Sequence, residues 1–168
     1  MKKVVTIIGG NSEVSDYALK QSFELGKKII DNGWVLCTGG RGGVMESASK
    51  GARTSKKWTG FQIIGILPEG NKKSGNEYLD IILPTGMGLT RNALVVQAGD
   101  VCIAISGGAG TLSEIALAWQ FGRPIGVLND TGGWSKKMSG QKLDHRRNEI
   151  PGFNGVEDAI KWIKSQTE

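Results

Sequence analysis

A glycine-rich turn followed by a carboxylate is the segment of this sequence whose residue types and spacing could do chemistry. Ser106-Gly107-Gly108-Ala109-Gly110-Thr111-Leu112-Ser113-Glu114 follows directly on the apolar run Val101 to Ile105 and leads into a helix-like stretch. Glycine permits positive φ and lets a backbone approach an anion with no Cβ in the way. A helix opening there presents unpaired N–H groups and the positive end of its dipole. Two more apolar runs end in the same manner, Ile8 in Gly9-Gly10-Asn11-Ser12 and Cys37 in Thr38-Gly39-Gly40-Arg41-Gly42-Gly43. In a parallel sheet all three turns open at the carboxyl edge, where open α/β folds bind ligands. The pattern predicts a site for a nucleotide-like anion, with ligand-free tight turns as the alternative. Thr111-Leu112-Ser113-Glu114 also has the spacing of a capping box, in which Glu114 would only complement the helix dipole.

Several chemistries are excluded or disfavoured. A P-loop needs lysine and then serine or threonine after its glycines, and neither Gly40-Arg41-Gly42-Gly43 nor Gly108-Ala109-Gly110-Thr111 supplies them. A dinucleotide fingerprint needs an acidic residue at the end of the second strand, where this chain has Thr38-Gly39-Gly40. No lysine lies in a local signature for pyridoxal phosphate. His145, the only histidine, sits in the charged stretch Asp144-His145-Arg146-Arg147 and reads as a solvated loop residue rather than a catalytic one. Cys37 and Cys102 fall inside apolar strand patterns, as free thiols acting as small hydrophobes. No cofactor and no metal site are expected.

The elements that must position the turns follow from apolar periodicity. Nearly continuous apolar runs at Val4 to Ile8, Trp34 to Cys37, Phe61 to Leu67, Ile81 to Leu83, Val101 to Ile105 and Ile125 to Leu128 predict central parallel strands covered on both faces. Helical patterns between and after them cover Ser15 to Asn32, Val44 to Arg53, Leu89 to Ala98, Thr111 to Phe121 and Val156 to Lys164. Asn32-Gly33 is a stop signal. This alternation predicts an α/β fold: a Rossmann-like, doubly wound, mainly parallel sheet of about six or seven strands with helices on both faces. Pro68 to Asn76 and Asn129 to Gly140 read as polar surface loops, and Ser139 to Asn154 carries no clear pattern.

The 168 residues fit one domain, residues 1–168. The 26 glycines, about twice the usual share, fit a chain with many tight turns. The apolar start stops at Gly9, too early for a signal peptide, and no run reaches the length of a membrane helix. A soluble, cytoplasmic protein with no membrane partner is expected. The net charge of +5 gathers partly in Lys136, Lys137, Lys142, Arg146 and Arg147, without interleaved aromatics or a nucleic-acid motif, so a solvated surface is expected there rather than nucleic-acid binding. Leu89 to Ala98 and Ile115 to Trp119 are apolar on more than one face, which predicts burial against a partner.

The segment Ser106 to Glu114 resembles the P-G-G-x-G-T-x-x-E motif of the Lonely Guy (LOG) family, cytokinin-activating nucleoside-monophosphate phosphoribohydrolases often mislabelled lysine decarboxylases. Gly39-Gly40-Arg41-Gly42-Gly43-Val44-Met45 is similar to that family's G-G-G-x-x-G-x-M turn, Ile64-Gly65-Ile66-Leu67-Pro68 to its G-x-x-P strand end, and Gly122 to Asn129 to its K-P-V-G-L-L-N strand. The resemblance covers roughly Val4 to Trp134. Met45-Glu46-Ser47 and the Gly107 turn are also similar to molybdenum cofactor carrier proteins, which bind a phosphorylated pterin without chemistry. There are departures. The family's M-H-x-R-K stretch appears as Met87 to Asn92, keeping Arg91 but losing the histidine and lysine; Ser106 stands for the motif's proline; and Gln120 stands for a threonine of plant-type members.

The LOG resemblance implies cleavage of the N-glycosidic bond of AMP or an N6-modified AMP, giving free base and ribose 5-phosphate. It implies Glu114 at the ribose, supporting an oxocarbenium-like sugar or orienting water, and Arg91 on the phosphate or the leaving base. It further implies a nucleotide held by Gly39, Gly40, Gly43, Asn92, Gly107, Gly108, Ala109, Gly110 and Thr111. Glu46 would be a second ribose or base contact, or only a helix-start carboxylate. The carrier resemblance implies instead non-catalytic binding of a nucleotide or phosphorylated pterin. Both resemblances imply a homodimer with sites near its interface.

Overall fold

The computed structural model describes residues 1–146 and 148–167. Arg147, one member of the late basic cluster, lies outside the described residues. Strands β1 (Val4–Gly9), β2 (Val35–Thr38), β3 (Ile63–Leu67), β4 (Ile81–Pro84), β5 (Val101–Ile105), β6 (Ile125–Leu128) and β7 (Gly152–Phe153) form a single sheet. Its order is β4-β3-β2-β1-β5-β6-β7, and every neighbouring pair is parallel. The order runs outward from β1 and then reverses. A doubly wound sheet therefore has its crevice between the turns that leave β1 and β5.

Helices α1 (Asp16–Asp31), α2 (Val44–Arg53) and α6 (Val156–Thr167) cover one face, and α3 (Asn92–Ala98), α4 (Ala109–Phe121) and α5 (Gly133–Met138) cover the other. Alternation along β5 shows why its sequence reads as one apolar run. Val101, Ile103 and Ile105 enter the core beneath α1, α2 and α6, while Cys102 and Ala104 enter the core beneath α3 and α4. Both faces are buried, so both sets must be apolar.

Helix α1 starts at Ser15, whose hydroxyl accepts from Ala18 N at 3.2 Å, and ends at Asn32, whose side chain donates to Lys28 O at 2.8 Å. It packs on α2 through two glycines. A Cβ at Gly26 would collide with the Ala48 carbonyl, and one at Gly51 with the Phe23 carbonyl, so the helix backbones touch there.

Some expected boundaries move. Phe61 precedes β3 rather than starting it, because it takes φ +59° in an exposed turn. The stretch Leu89 to Ala98 divides into a 3-10 turn, Gly88–Arg91, and α3. Helix α4 begins at Ala109 with Gly108 as its N-cap, so Thr111 caps nothing and the capping-box reading of Thr111 to Glu114 is overturned. Thr111 packs beneath Gly107 instead. The loop expected at Asn129 to Gly140 contains a 3-10 turn (Asn129–Thr131) and α5, and Ser139 to Asn154 contains β7.

Cys37 and Cys102 are buried free thiols, and burial pushes both up to about 12. Lys136, Lys137, Lys142, His145 and Arg146 are exposed, with Arg146 paired to Asp144 at 3.1 Å. Among the described residues no helix is long and apolar enough to cross a membrane.

Candidate ligand-binding site

Gly9 lies opposite Ile105 in the β1–β5 pairing, so the turns leaving these strands open side by side. Between them is a cleft of about 500 Å³. One wall is the β5–α4 turn. Ser106 at φ +55° and Gly107 at φ +96° reverse the chain, Gly108 is extended, and α4 follows. The first backbone bond onto the turn is Leu112 N to Gly108 O at 3.0 Å. Among the described residues the N–H groups of Ala109, Gly110 and Thr111 consequently have no backbone acceptor, as at any helix start. Ala109 and Gly110 are exposed and Thr111 is buried, so the first two residues present their N–H groups at the surface of the turn.

The floor holds a buried ion pair. Arg91 is 7% exposed and Glu114 6%, with Arg91 Nη1 at 3.6 Å from Glu114 Oε1. The 3-10 turn Gly88–Arg91 delivers the arginine, and the second turn of α4 delivers the carboxylate. Arg91 also donates from Nη1 to Asn92 Oδ1, and from Nη2 to Gly39 O at 3.2 Å. Asn92 donates on to Ser113 Oγ at 2.9 Å, and Ser113 to Gly110 O at 2.7 Å. These bonds join the β2–α2 turn to the first turn of α4. Arg91 Nε is buried without a partner among the described residues.

Burial raises Glu114 to about 7, and Arg91 only partly opposes that shift. A separation of 3.6 Å is too long for a strong charge-assisted hydrogen bond, so desolvation wins. Burial likewise pulls Arg91 down, with Glu114 opposing. The buried carboxyl therefore keeps its proton to higher pH than an ordinary glutamate does.

The cleft brings together Arg91, Asn92, Gly107, Gly108, Gly110, Thr111 and Glu114 among the residues singled out from sequence. Ala109 lies on the same exposed turn. Gly39, Gly40, Gly43 and Glu46 are outside the lining. Gly39 holds Arg91 through its carbonyl, Gly40 packs on Gly65, Gly43 packs on the Gly10 carbonyl, and Glu46 sits half-buried beside Gly42 in the first turn of α2. They shape the wall from behind. Asn11, Ser12 and Arg41, which belong to the glycine turns picked out in the sequence but were not named as site residues, line the cleft, as do Glu13, Leu89 and Gly133, which the sequence did not mark as site residues. The glycine pair Gly9-Gly10 was the available signal for Asn11, Ser12 and Glu13. Asn11 Oδ1 accepts from Gly42 N at 2.9 Å, tying the β1 turn to the β2 turn, and Arg41 faces Glu69 at 3.7 Å. Nothing in the spacing marks Gly133.

A family model described as the SLOG cluster4 family matches residues 2–160. The chain belongs to the SLOG cluster4 family. Among solved structures, this SLOG cluster4 chain is similar to the molybdenum cofactor binding protein of the phototrophic bacterium Rippkaea orientalis, at 37% identity, a TM-score of 0.88, and coverage of 100% of this chain and 99% of that one. It is also similar to the molybdenum cofactor carrier protein of Chlamydomonas reinhardtii, at 32% identity, a TM-score of 0.83, and 99% coverage of both chains. A cytokinin riboside 5′-monophosphate phosphoribohydrolase of Oryza sativa subsp. japonica is 30% identical over 126 residues, 69% of this chain and 50% of the rice protein. The match thus spans half the length of that relative. The relatives differ in what they are named for, the molybdenum cofactor in the two solved structures and a cytokinin riboside 5′-monophosphate in the rice protein.

Proposed function

We propose that this SLOG cluster4 protein binds a phosphorylated, flat-ringed small molecule in the β1–β5 crevice and acts as a carrier whose cargo is a phosphorylated pterin of the molybdenum cofactor type. The observation that carries the reading is the convergence of the open α4 donors and a buried arginine on one cleft. Backbone N–H groups at a helix start suit the phosphate, and Met45 and Leu89 offer apolar surface for a ring. Carriage is favoured over cleavage by the state of Arg91. Its terminal nitrogens hold Asn92 Oδ1 and Gly39 O, in a stretch without the histidine and lysine of the LOG motif. Likeness to the two molybdenum cofactor proteins over essentially the whole chain supports the same choice.

One observation favours a second reading as a nucleoside 5′-monophosphate phosphoribohydrolase acting on AMP or an N6-modified AMP. Glu114, at the cleft floor with its carboxyl raised to about 7, is suited to exchange a proton or support a cationic sugar. Equilibrium binding of a phosphorylated pterin and of AMP, followed by chromatography of the AMP mixture after long incubation, separates the two. The carrier reading expects saturable pterin binding and no adenine. Release of adenine and ribose 5-phosphate, abolished in Glu114→Gln, would replace it with the hydrolase.

A homodimer belongs to this reading. Met87, Leu89, Leu94 and Phe121 are exposed on the α3–α4 side of the sheet, next to the cleft at Leu89. A cytoplasmic location is also part of it, supported by two unpaired cysteines.

A further inference from the structure

Ser106 stands where the resembling LOG motif has proline, and its backbone is one that proline could not adopt. It sits at φ +55°, whereas a proline ring locks φ near about −65°. Its N–H, which proline lacks, donates to two hydroxyls, Thr131 Oγ1 at 2.9 Å and Ser135 Oγ at 3.0 Å. Thr131 and Ser135 are both buried. A hydroxyl that accepts must send its own proton elsewhere, and the Leu128 carbonyl is within reach of both, at 2.8 Å from Thr131 and 2.9 Å from Ser135. The backbone of the same segment completes the clamp. Ser135 N donates to Ser106 O at 3.1 Å and Trp134 N to Gly107 O at 2.9 Å. Gly133, at φ +58°, lies so close behind that a Cβ would come within 2.5 Å of Gly107 O.

We propose that Thr131 and Ser135 are positioning residues for ligand phosphate: by holding the Ser106 N–H they fix the left-handed entry to the turn and so aim the α4 donors into the cleft. The inference rests on the reading of that turn as the phosphate seat. Neither hydroxyl touches the ligand. They substitute for the rigidity a proline would supply, and the β6–α5 segment becomes part of the site although it reads as a surface loop.

The test compares Thr131→Val, which keeps the shape and removes the hydroxyl, with Thr131→Ser, which keeps the hydroxyl. Full-chain protein labelled with ¹⁵N is titrated with a phosphorylated pterin, with AMP, with inorganic phosphate as the anion alone, and with adenosine as the phosphate-free ligand, following the amides of Gly107 to Thr111. Thr131→Val combined with Ser135→Ala should weaken AMP about tenfold and leave adenosine unchanged, as loss of the acceptors for one buried N–H implies. Thr131→Ser, which keeps the accepting hydroxyl, should match wild type. Where the double variant does not fold, Thr131→Val against Thr131→Ser carries the comparison, with about threefold expected. Unchanged AMP affinity, or an equal loss for adenosine, overturns the positioning role while leaving the phosphate seat standing. Wild-type protein whose turn amides respond to none of the phosphorylated pterin, AMP and inorganic phosphate overturns the seat, and this inference with it.

Discussion

Glu114 and Arg91 are each almost wholly buried, yet their separation of 3.6 Å leaves the carboxylate poorly compensated. Because the folded chain raises this acid to about 7 from an ordinary 4.5, it binds the proton better than the unfolded chain does. The stability this group contributes is therefore full below about 4.5 and is lost as pH rises through about 7. Thermal melts of wild type should fall between pH 5 and pH 8 relative to those of Glu114→Gln, whose curve should be flatter in that window. Parallel curves would show that Glu114 titrates normally. Arg91 carries a second prediction. Its fork reaches Gly39 O, Asn92 and Glu114 at once, and a lysine has no fork with which to do so. Arg91→Lys should therefore weaken a phosphorylated ligand about tenfold or more by calorimetry despite keeping the charge, and equal affinity would remove the guanidinium geometry from the site.

At the scale of elements, the helix pair α1–α2 is held at backbone contact by Gly26 and Gly51. A methyl group at Gly26 has a carbonyl in its place rather than a pliable side chain, so the helices must separate. Gly26→Ala should cost about 1–3 kcal/mol, the usual range for overpacking, measured by denaturant unfolding, although alanine is the better helix former. Such close approaches were not legible in the sequence, where Gly26 is one more residue inside a helical pattern. Continuous apolar runs did reveal strands β1 to β6; β1, β2, β3, β5 and β6 are largely buried on both faces and need no alternation, whereas β4 is a partly buried edge strand. They could not reveal β7, only two residues long, or α5, six residues long, since neither length shows a period. The site was legible to the same degree. Glycine turns marked Gly107, Gly108 and Gly110, but the residues that lock them, Thr131 and Ser135, are ordinary polar residues whose roles depend on where β6 ends. For Glu114 the capping-box alternative stayed open beside the site reading because spacing alone cannot say that α4 begins two residues early, at Ala109.

For the molecule as a whole, the reversal of strand order at β1 places every glycine turn of the site at one sheet edge and leaves α3 and α4 together on one face. That face is incompletely covered. Leu94 of α3 and Phe121 of α4 remain 39% and 40% exposed, while Leu89, at the cleft mouth, is 79% exposed. Three large apolar side chains in solvent are individually ordinary for a monomer, but here two belong to neighbouring helices and the third lines the cleft. A second copy seated on α3 and α4 would bury all three and narrow the cleft, so dimer formation and ligand affinity should move together. Leu94→Glu puts a charge into such an interface without touching Arg91, Asn92 or the turn. Sedimentation should show a dimer for wild type and a monomer for Leu94→Glu, with the near-native fold retained by circular dichroism. The monomer should also bind ligand several-fold more weakly, because Leu89 then loses its cover. A wild-type monomer at micromolar concentration would show that the exposed face serves something other than a second copy of this chain.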